Sequence, residues 1–323
     1  MKNTVADLEK ESKFNFSGFF GTYAIYFVFA GMVIISSMIS DNFLKTSNLV
    51  NILRQMSPIM IIACGETMVI IAGMTDLSPG AVLALAGCVG IGVCIATGSA
   101  ILGMLVAIGI GILCGLLSGI AVSRFKIPPF IATLAVMNLA RGAAYVYTDG
   151  KTIYNIGNFA FFGQGNILSI PAPIVFMAII TVLSHILLKH TKFGRYLYSI
   201  GGNEDAAIAS GINTKRIKLR AYLILGALSG FAGVILCSRL NSGIPSSGVN
   251  YEFDAIIAAI IGGTSFSGGI GTIGGTVVGC AIISLLNNMM NLLSVQSYWQ
   301  LIVKGIVIMV AVGIDMAKKG SKL

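Results

Sequence analysis

The chain has 323 residues, of which 56% are hydrophobic and only 10% are charged. Soluble domains carry about 25% charged residues, so this composition excludes a soluble globular protein and indicates an all-α polytopic membrane protein. The net charge of +9 is explained by basic loops on one membrane face, and it gives no reason to expect a nucleic-acid partner.

Apolar runs close to the length that crosses a bilayer, about 20 residues, recur along the chain. They predict about ten transmembrane segments. A charged tail at 1–18 precedes a transmembrane domain at 19–315, and a short tail at 316–323 follows it. The spans are expected at 19–40, 51–72, 81–98, 100–122, 128–147, 171–188, 221–238, 272–293 and 298–315, with one discontinuous segment near 253–271.

Two polar, glycine-rich turns interrupt the apolar pattern, one at 73–80 and one at 262–271. The apolar run 255–261 before the second turn is too short to cross a bilayer unaided, so we predict a broken crossing there. Interrupted helices in transporters often lie beside the pathway. The residues expected to form these structural turns are Gly73, Asp76, Ser78, Gly80, Gly262, Gly263 and Thr264.

The distribution of Lys and Arg predicts the orientation, because cytoplasmic loops retain positive side chains. If the N-terminus is cytoplasmic, fifteen of the 21 basic residues lie in inner segments and four in outer loops. Both termini and the basic loop 189–220 are therefore expected in the cytoplasm. The basic inner segments are 1–18, the turn at 124–126, 189–220 and 316–323.

The centre of loop 189–220 is predicted to form a turn, a short helix and a second turn. Gly201 and Gly202 permit a turn, Asn203 is a favourable N-cap, and Gly211 is a favourable helix end. Acidic side chains stand in the first helical turn, where they favour the positive end of the helix dipole, and alanines follow. Such a small, smooth helix suits a groove on another protein.

The same residues carry a resemblance. The run 201–212 resembles the coupling loop of sugar-type ABC importer permeases, in particular the ribose-transporter permease family. Further runs that are similar to this family occur in the family's order along about 40–315: Asp76-Leu77-Ser78, Phe130-Ile131-Ala132-Thr133-Leu134 with Arg141-Gly142, Gly194-Arg195-Tyr196, Tyr251-Glu252, Asp254-Ala255-Ile256, Gly262-Gly263-Thr264-Ser265 and Asn287-Asn288.

The resemblance implies a permease subunit in the bacterial cytoplasmic membrane that imports a monosaccharide, ribose or a related sugar. Its implied partners are a second copy or a homologous permease, a cytoplasmic ATP-binding-cassette ATPase, an extracytoplasmic sugar-binding protein and membrane lipid. The implied ATPase-coupling residues are Gly201, Gly202, Asn203, Glu204, Ala206, Ala207, Ser210, Gly211 and Ile212.

This chain is not expected to be an enzyme or to hold a cofactor. It contains no phosphate-binding loop of the form G-x-x-x-x-G-K-[ST], so ATP and magnesium are expected to be used by the partner ATPase. Its six cysteines fall inside apolar runs without metal-type spacing, and neither His185 nor His190 has neighbours that complete a metal site. No metal site is predicted.

Polar residues inside predicted spans are candidates for the translocation pathway, since burying them in a membrane is costly. A neutral sugar requires hydrogen-bonding groups more than charges. The candidates are Glu66, Asn287, Asn288, Asn291 and Gln300. Arg141 and Lys304 also lie in spans, where pairing with a neighbouring carboxylate or carbonyl is the simpler interpretation.

Two other functions stay open at this point. An ion-gradient-driven secondary transporter of a small polar solute would need a coupling acid in a span, and Glu66 is the one carboxylate well inside a span. A membrane-embedded enzyme would need a nucleophile, a metal site or a pair of carboxylates, and the sequence shows no such arrangement.

Overall fold

The computed structural model describes residues 16–320 and is predominantly helical. Of the tails predicted at 1–18 and 316–323, residues 1–15 and 321–323 lie outside the described part of the chain, whereas 16–18 belong to α1 and 316–320 to α13. The helices are α1 (Phe16–Ile39), α2 (Thr46–Ile71), α3 (Pro79–Thr97), α4 (Ala100–Ser123), α5 (Pro129–Thr148), α6 (Phe161–Gln164), α7 (Ala172–His190), α8 (Lys192–Gly202), α9 (Glu204–Ala209), α10 (Thr214–Leu240), α11 (Tyr251–Ile261), α12 (Ile273–Leu292) and α13 (Ser297–Gly320).

Among the described residues, seven helices are long and apolar enough to cross a membrane: α2, α3, α4, α5, α7, α10 and α12. Shorter apolar stretches, 25–39 and 297–310, lie in α1 and α13. The predicted all-α polytopic membrane protein is thus confirmed at the level of its class. A two-stranded hairpin, β1 (Asn166–Ile167) and β2 (Ile170–Pro171), follows a short 3₁₀ turn and α6 in the connection between α5 and α7.

Glycine, serine and proline set several helix ends. Ser99 caps α4 by accepting a hydrogen bond from the Leu102 amide at 3.3 Å, and Gly98 ends α3 in the left-handed conformation at φ 71°. Pro79 and Pro129 each begin a helix, where the missing amide hydrogen costs little. The local sequence therefore explains these boundaries.

Helices α2 and α10 form the centre of the bundle. In α2 every residue from Met56 to Ile71 is buried. Helix α10 crosses α4 at backbone distance, because a Cβ on Gly111 would meet the Gly226 carbonyl and one on Gly115 the Tyr222 carbonyl. Small residues replace the hydrophobic driving force at such crossings inside lipid.

The predicted interruption near 253–271 is present. Helix α11 has 11 residues, about 16 Å of helix against the roughly 30 Å of a hydrocarbon core, and a non-helical segment, 262–272, follows it. Helix α12 then runs back along α11, since a Cβ on Gly279 would meet the Ala258 carbonyl and one on Gly262 the backbone of Gly275. The two helices form a tight antiparallel hairpin.

Candidate functional site: a coupling segment and a polar cavity

Residues 201–212 contain the predicted short helix and the turn after it, but the predicted turn at Gly201 and Gly202 is wrong: both glycines are the last residues of α8, and the chain changes direction at the extended Asn203. The Asn203 side chain accepts a hydrogen bond from the Ala206 amide at 2.9 Å and so caps α9. At the other end Gly211 has φ +81°, and the Ile212 amide donates to the Ala207 carbonyl at 3.0 Å. We call residues 201–212 the coupling segment.

The coupling segment rests directly on the membrane helices. The Gly269 amide donates to the carbonyl of Ile71, the last residue of α2, at 2.8 Å, and Gly201 lies against both residues with no room for a Cβ. The Tyr198 hydroxyl, one turn earlier on α8, donates to the Gly271 carbonyl at 2.7 Å. We call the contact of Gly201 with Ile71 and Gly269 the joint.

The other face of the coupling segment is open. Ala207 is buried and anchors α9, whereas the residues around it are exposed, and Ile208 is 53% exposed. Glu204 forms an ion pair with Lys218 at 2.6 Å, which ties α9 to the first turns of α10. The exposed residues form a ridge of small and polar side chains with one apolar residue, Ile208, among them: Gly202, Asn203, Asp205, Ala206, Ile208, Ala209 and Ser210.

A polar cavity of about 180 Å³ lies in the helical bundle between α2, α10, α11, α12 and α13. Three of the predicted pathway residues, Asn287, Asn291 and Gln300, line it. Their placement agrees with the spacing argument, because residues four apart share one helix face. The complete lining is Gln55, Ile59, Arg239, Tyr251, Asp254, Ser284, Asn287, Asn291, Gln300 and Lys304.

One ion pair holds the cavity wall. Lys304 of α13 and the buried Asp254 of α11 pair at 2.8 Å, so the lysine in this span has a carboxylate partner, as the simpler interpretation expects. Sequence reasoning did not assign Asp254, Arg239 or Tyr251 to the cavity. Their only sequence signal was that ionisable or polar residues flank an interrupted helix.

The remaining two predicted pathway residues lie elsewhere. Asn288 and Asn48 exchange hydrogen bonds between their side-chain amides at 2.9 and 3.1 Å, joining α12 to the first turn of α2. Glu66 is fully buried in α2 and accepts a hydrogen bond from the Asp76 amide at 3.1 Å. Neither residue lines the cavity, so both serve contacts between elements in this conformation.

The first structural turn is built around Asp76, whose carboxylate accepts a hydrogen bond from the Ser78 amide at 2.7 Å. Gly73 has φ +75° there. Arg141 supports the turn from α5 by donating to the Gly80 carbonyl at 3.3 Å and to the Pro245 carbonyl at 2.7 Å. The Arg141 guanidinium in this span therefore donates its hydrogen bonds to backbone carbonyl oxygens.

The second structural turn continues α11 toward the joint. Gly263 has φ +86°, a conformation that glycine adopts without strain, and the side chain of Thr264 is buried beside Gly271. Gly262 packs against the backbone of Gly275, so the glycines of this turn serve both its conformation and its close approach to α12.

Within residues 16–320, no group of three or more His, Cys, Asp or Glu side chains has an arrangement that could hold a metal ion. The six cysteines are all buried and unpaired.

Comparison with known proteins identifies the chain as a permease component of a transport system. Residues 48–312 match the family described as the permease component of a branched-chain amino acid transport system. The chain is 45% identical over 290 residues to a ribose import permease protein of Bacillus subtilis (strain 168), covering 89% of this chain and 90% of that protein.

More distant relatives cover nearly the whole chain. A D-allose transport system permease protein of Escherichia coli (strain K12) is 36% identical over 313 residues, which is 96% of each protein. An L-arabinose transport system permease protein of the same strain is 35% identical over 322 residues, 97% of this chain and 95% of that protein. No solved structure matches.

Proposed function

The chain belongs to the family of transport-system permease components that its residues 48–312 match, and we propose that it imports ribose or a closely related sugar. The observation that supports this most strongly is the 45% identity to a ribose import permease over 89% of the chain. Allose and arabinose are the other candidates, because permeases for those sugars are 36% and 35% identical.

The proposed topology has about ten membrane segments, with both termini and the coupling segment in the cytoplasm. The excess of Lys and Arg in loop 189–220 supports this orientation. The joint is then at the cytoplasmic end of the bundle, and the Asn48–Asn288 pair at the extracytoplasmic end. Cysteines introduced singly at exposed positions 151 and 205 should be labelled by an impermeant reagent from outside and from inside, respectively.

In this orientation the ridge on the coupling segment faces a cytoplasmic ATPase. Small side chains flank α9, so a groove on the partner can approach its backbone closely. Motion of α9 would pass through the joint to the end of α2 and to the segment that follows α11. ATP and magnesium belong to the ATPase in this scheme, and the permease acts with a second copy or a homologous permease.

The test is reconstitution. The tagged permease, purified gently from its native membrane, should bring a stoichiometric ATPase. Proteoliposomes that contain the permease and the ATPase should accumulate labelled ribose, allose or arabinose when the extracytoplasmic sugar-binding protein is present. This uptake should require ATP on the side of the membrane that carries the ATPase. Uptake that needs a proton or sodium gradient but no ATPase would instead favour the secondary transporter, and it should then disappear in a Glu66→Gln variant.

A further inference from the structure

The polar cavity contains buried polar atoms that the protein leaves without a hydrogen-bond partner. In residues 16–320 these are the Ser284 hydroxyl, Asn287 Oδ1, Asp254 Oδ1 and Arg239 Nε. A buried polar atom without a partner costs about 1–3 kcal/mol, so folded proteins normally satisfy such atoms with water or a ligand. Four such atoms around one cavity indicate a site for a polar molecule.

We infer that this cavity binds a neutral polyhydroxylated molecule, and, resting on the proposed function, that it is a station for the imported sugar. Three of the unpaired atoms are oxygens that accept hydrogen bonds, and Arg239 Nε donates one. A sugar hydroxyl both donates and accepts, so neighbouring hydroxyls satisfy such a mixed set. Ile59 and Tyr251 add apolar surface for the C–H face of the sugar ring.

A neutral hydroxylated ligand fits the unpaired atoms better than an anion, because Asn287 Oδ1 and Asp254 Oδ1 accept hydrogen bonds and an anion has none to donate. Lys304 is neutralised by Asp254 at 2.8 Å, and Arg239 leaves the lining with one positive charge, which a guanidinium can direct to a hydroxyl oxygen. An anion entering the cavity would lie close to the buried Asp254 carboxylate, and like charges repel strongly where water is excluded. Hydroxyl groups carry no such penalty.

The cavity also has an entrance. Ser284, Asn287 and Asn291 lie three and four residues apart on α12 and form a polar stripe along one face. The stripe begins at the buried Ser284 and ends at the exposed Asn291, toward the end of the bundle that holds the Asn48–Asn288 pair. In the proposed topology that end receives sugar from outside.

The first test removes one hydroxyl. Ser284→Ala deletes a hydroxyl whose protein contact is at most a weak hydrogen bond with the Cys280 thiol one turn earlier on α12, so folding should change little, whereas sugar import should fall about three- to tenfold, the value of one neutral hydrogen bond. The matched control is Ser118→Ala in α4, whose hydroxyl is equally buried and unpaired but lies outside the cavity. Equal import by both variants would overturn the inference.

The second test measures occupancy directly. In a functional variant whose six native cysteines are replaced, Ser284→Cys should react with a small thiol reagent, and ribose should slow this reaction severalfold. Ser118→Cys should not react. Absence of reaction at 284 would show a sealed cavity, and reaction without protection by ribose, allose or arabinose would show a cavity that holds only water. Better protection by ribose 5-phosphate than by ribose would contradict the neutral class of ligand.

These outcomes are separable from failure of the proposed function. If reconstituted protein with its native cysteines takes up none of the three sugars, the proposed function fails. If that protein imports sugar while the Ser284 variants behave like their Ser118 controls, the importer stands and the cavity is not the station.

Discussion

The joint between the coupling segment and the membrane helices can be tested with two adjacent glycines. A Cβ on Gly201 would lie 2.5 Å from the Gly269 nitrogen and 2.9 Å from the Ile71 carbonyl carbon, whereas a Cβ on Gly202 has nothing within 4 Å. Gly201→Ala therefore forces the joint apart by about 1 Å, because carbon atoms in contact sit about 3.5–4.0 Å apart. Gly202→Ala leaves the joint unchanged.

The free-energy cost of Gly201→Ala depends on which atoms the new Cβ would meet. The obstructing atoms belong to the backbone and have no rotamer to change, so overpacking should cost about 1–3 kcal/mol. Alanine has a higher helix propensity than glycine, which stabilises α8 by up to about 1 kcal/mol. The net loss of stability in the docked arrangement is then up to about 2 kcal/mol. A loss of about 2 kcal/mol lowers the equilibrium constant for the docked arrangement of the joint by roughly 30-fold. Gly202→Ala should be neutral or slightly stabilising.

The assay is the amount of sugar moved per ATP hydrolysed in proteoliposomes containing the complete importer. For Gly201→Ala we expect this ratio to fall several-fold up to about 30-fold, while ATPase recovery on the tagged permease stays normal. Gly202→Ala should retain the wild-type ratio. If both variants transport with the wild-type ratio, the joint does not transmit motion and the reasoning is refuted.

Three further predictions concern single contacts. Glu204→Lys places two positive side chains together where an ion pair stood, and it should uncouple ATP hydrolysis from uptake while membrane insertion stays normal, as shown by membrane yield. Lys304→Ala leaves a buried carboxylate unpaired, so the free energy of unfolding in detergent should fall by about 3–5 kcal/mol. Adding Asp254→Asn should restore part of this loss. Gly111→Ala should lower the melting temperature through its clash with α10, whereas Gly109→Ala, with nothing within 4 Å, should not.

Much of the fold could be predicted from interactions between residues that are close in sequence. Most helices lie within a few residues of the predicted apolar spans, although α10 begins at Thr214, seven residues before the predicted start. The short helix at 204–209 was predicted from its cap Asn203, the acidic first turn and the closing Gly211, because helix capping depends on neighbours in sequence. The interruption after Ile261 followed from the length of one apolar run. In each case the interaction that determines the feature lies within a few residues of it.

The polar cavity could be predicted only in part. Spacing along α12 placed Asn287 and Asn291 on one face, but the sequence gives no means of knowing which distant side chains face them. Asp254 and Lys304 meet across 50 positions of chain, and Asn48 reaches Asn288 across 240. That pairing of α2 with α12 is what takes Asn288 away from the cavity.

The almost complete burial of α2 has a consequence for how the protein is made. Its main neighbours, α7, α10, α11 and α12, all lie after residue 171, so none exists when α2 leaves the ribosome. At about 5–20 residues per second, α12 follows α2 by roughly 10–40 s. During that interval α2, with Glu66 in its second half, must remain in the bilayer or in the insertion machinery without these neighbours. Helix α2, which later forms the centre of the bundle, therefore remains unpacked until α7, α10, α11 and α12 have been synthesised.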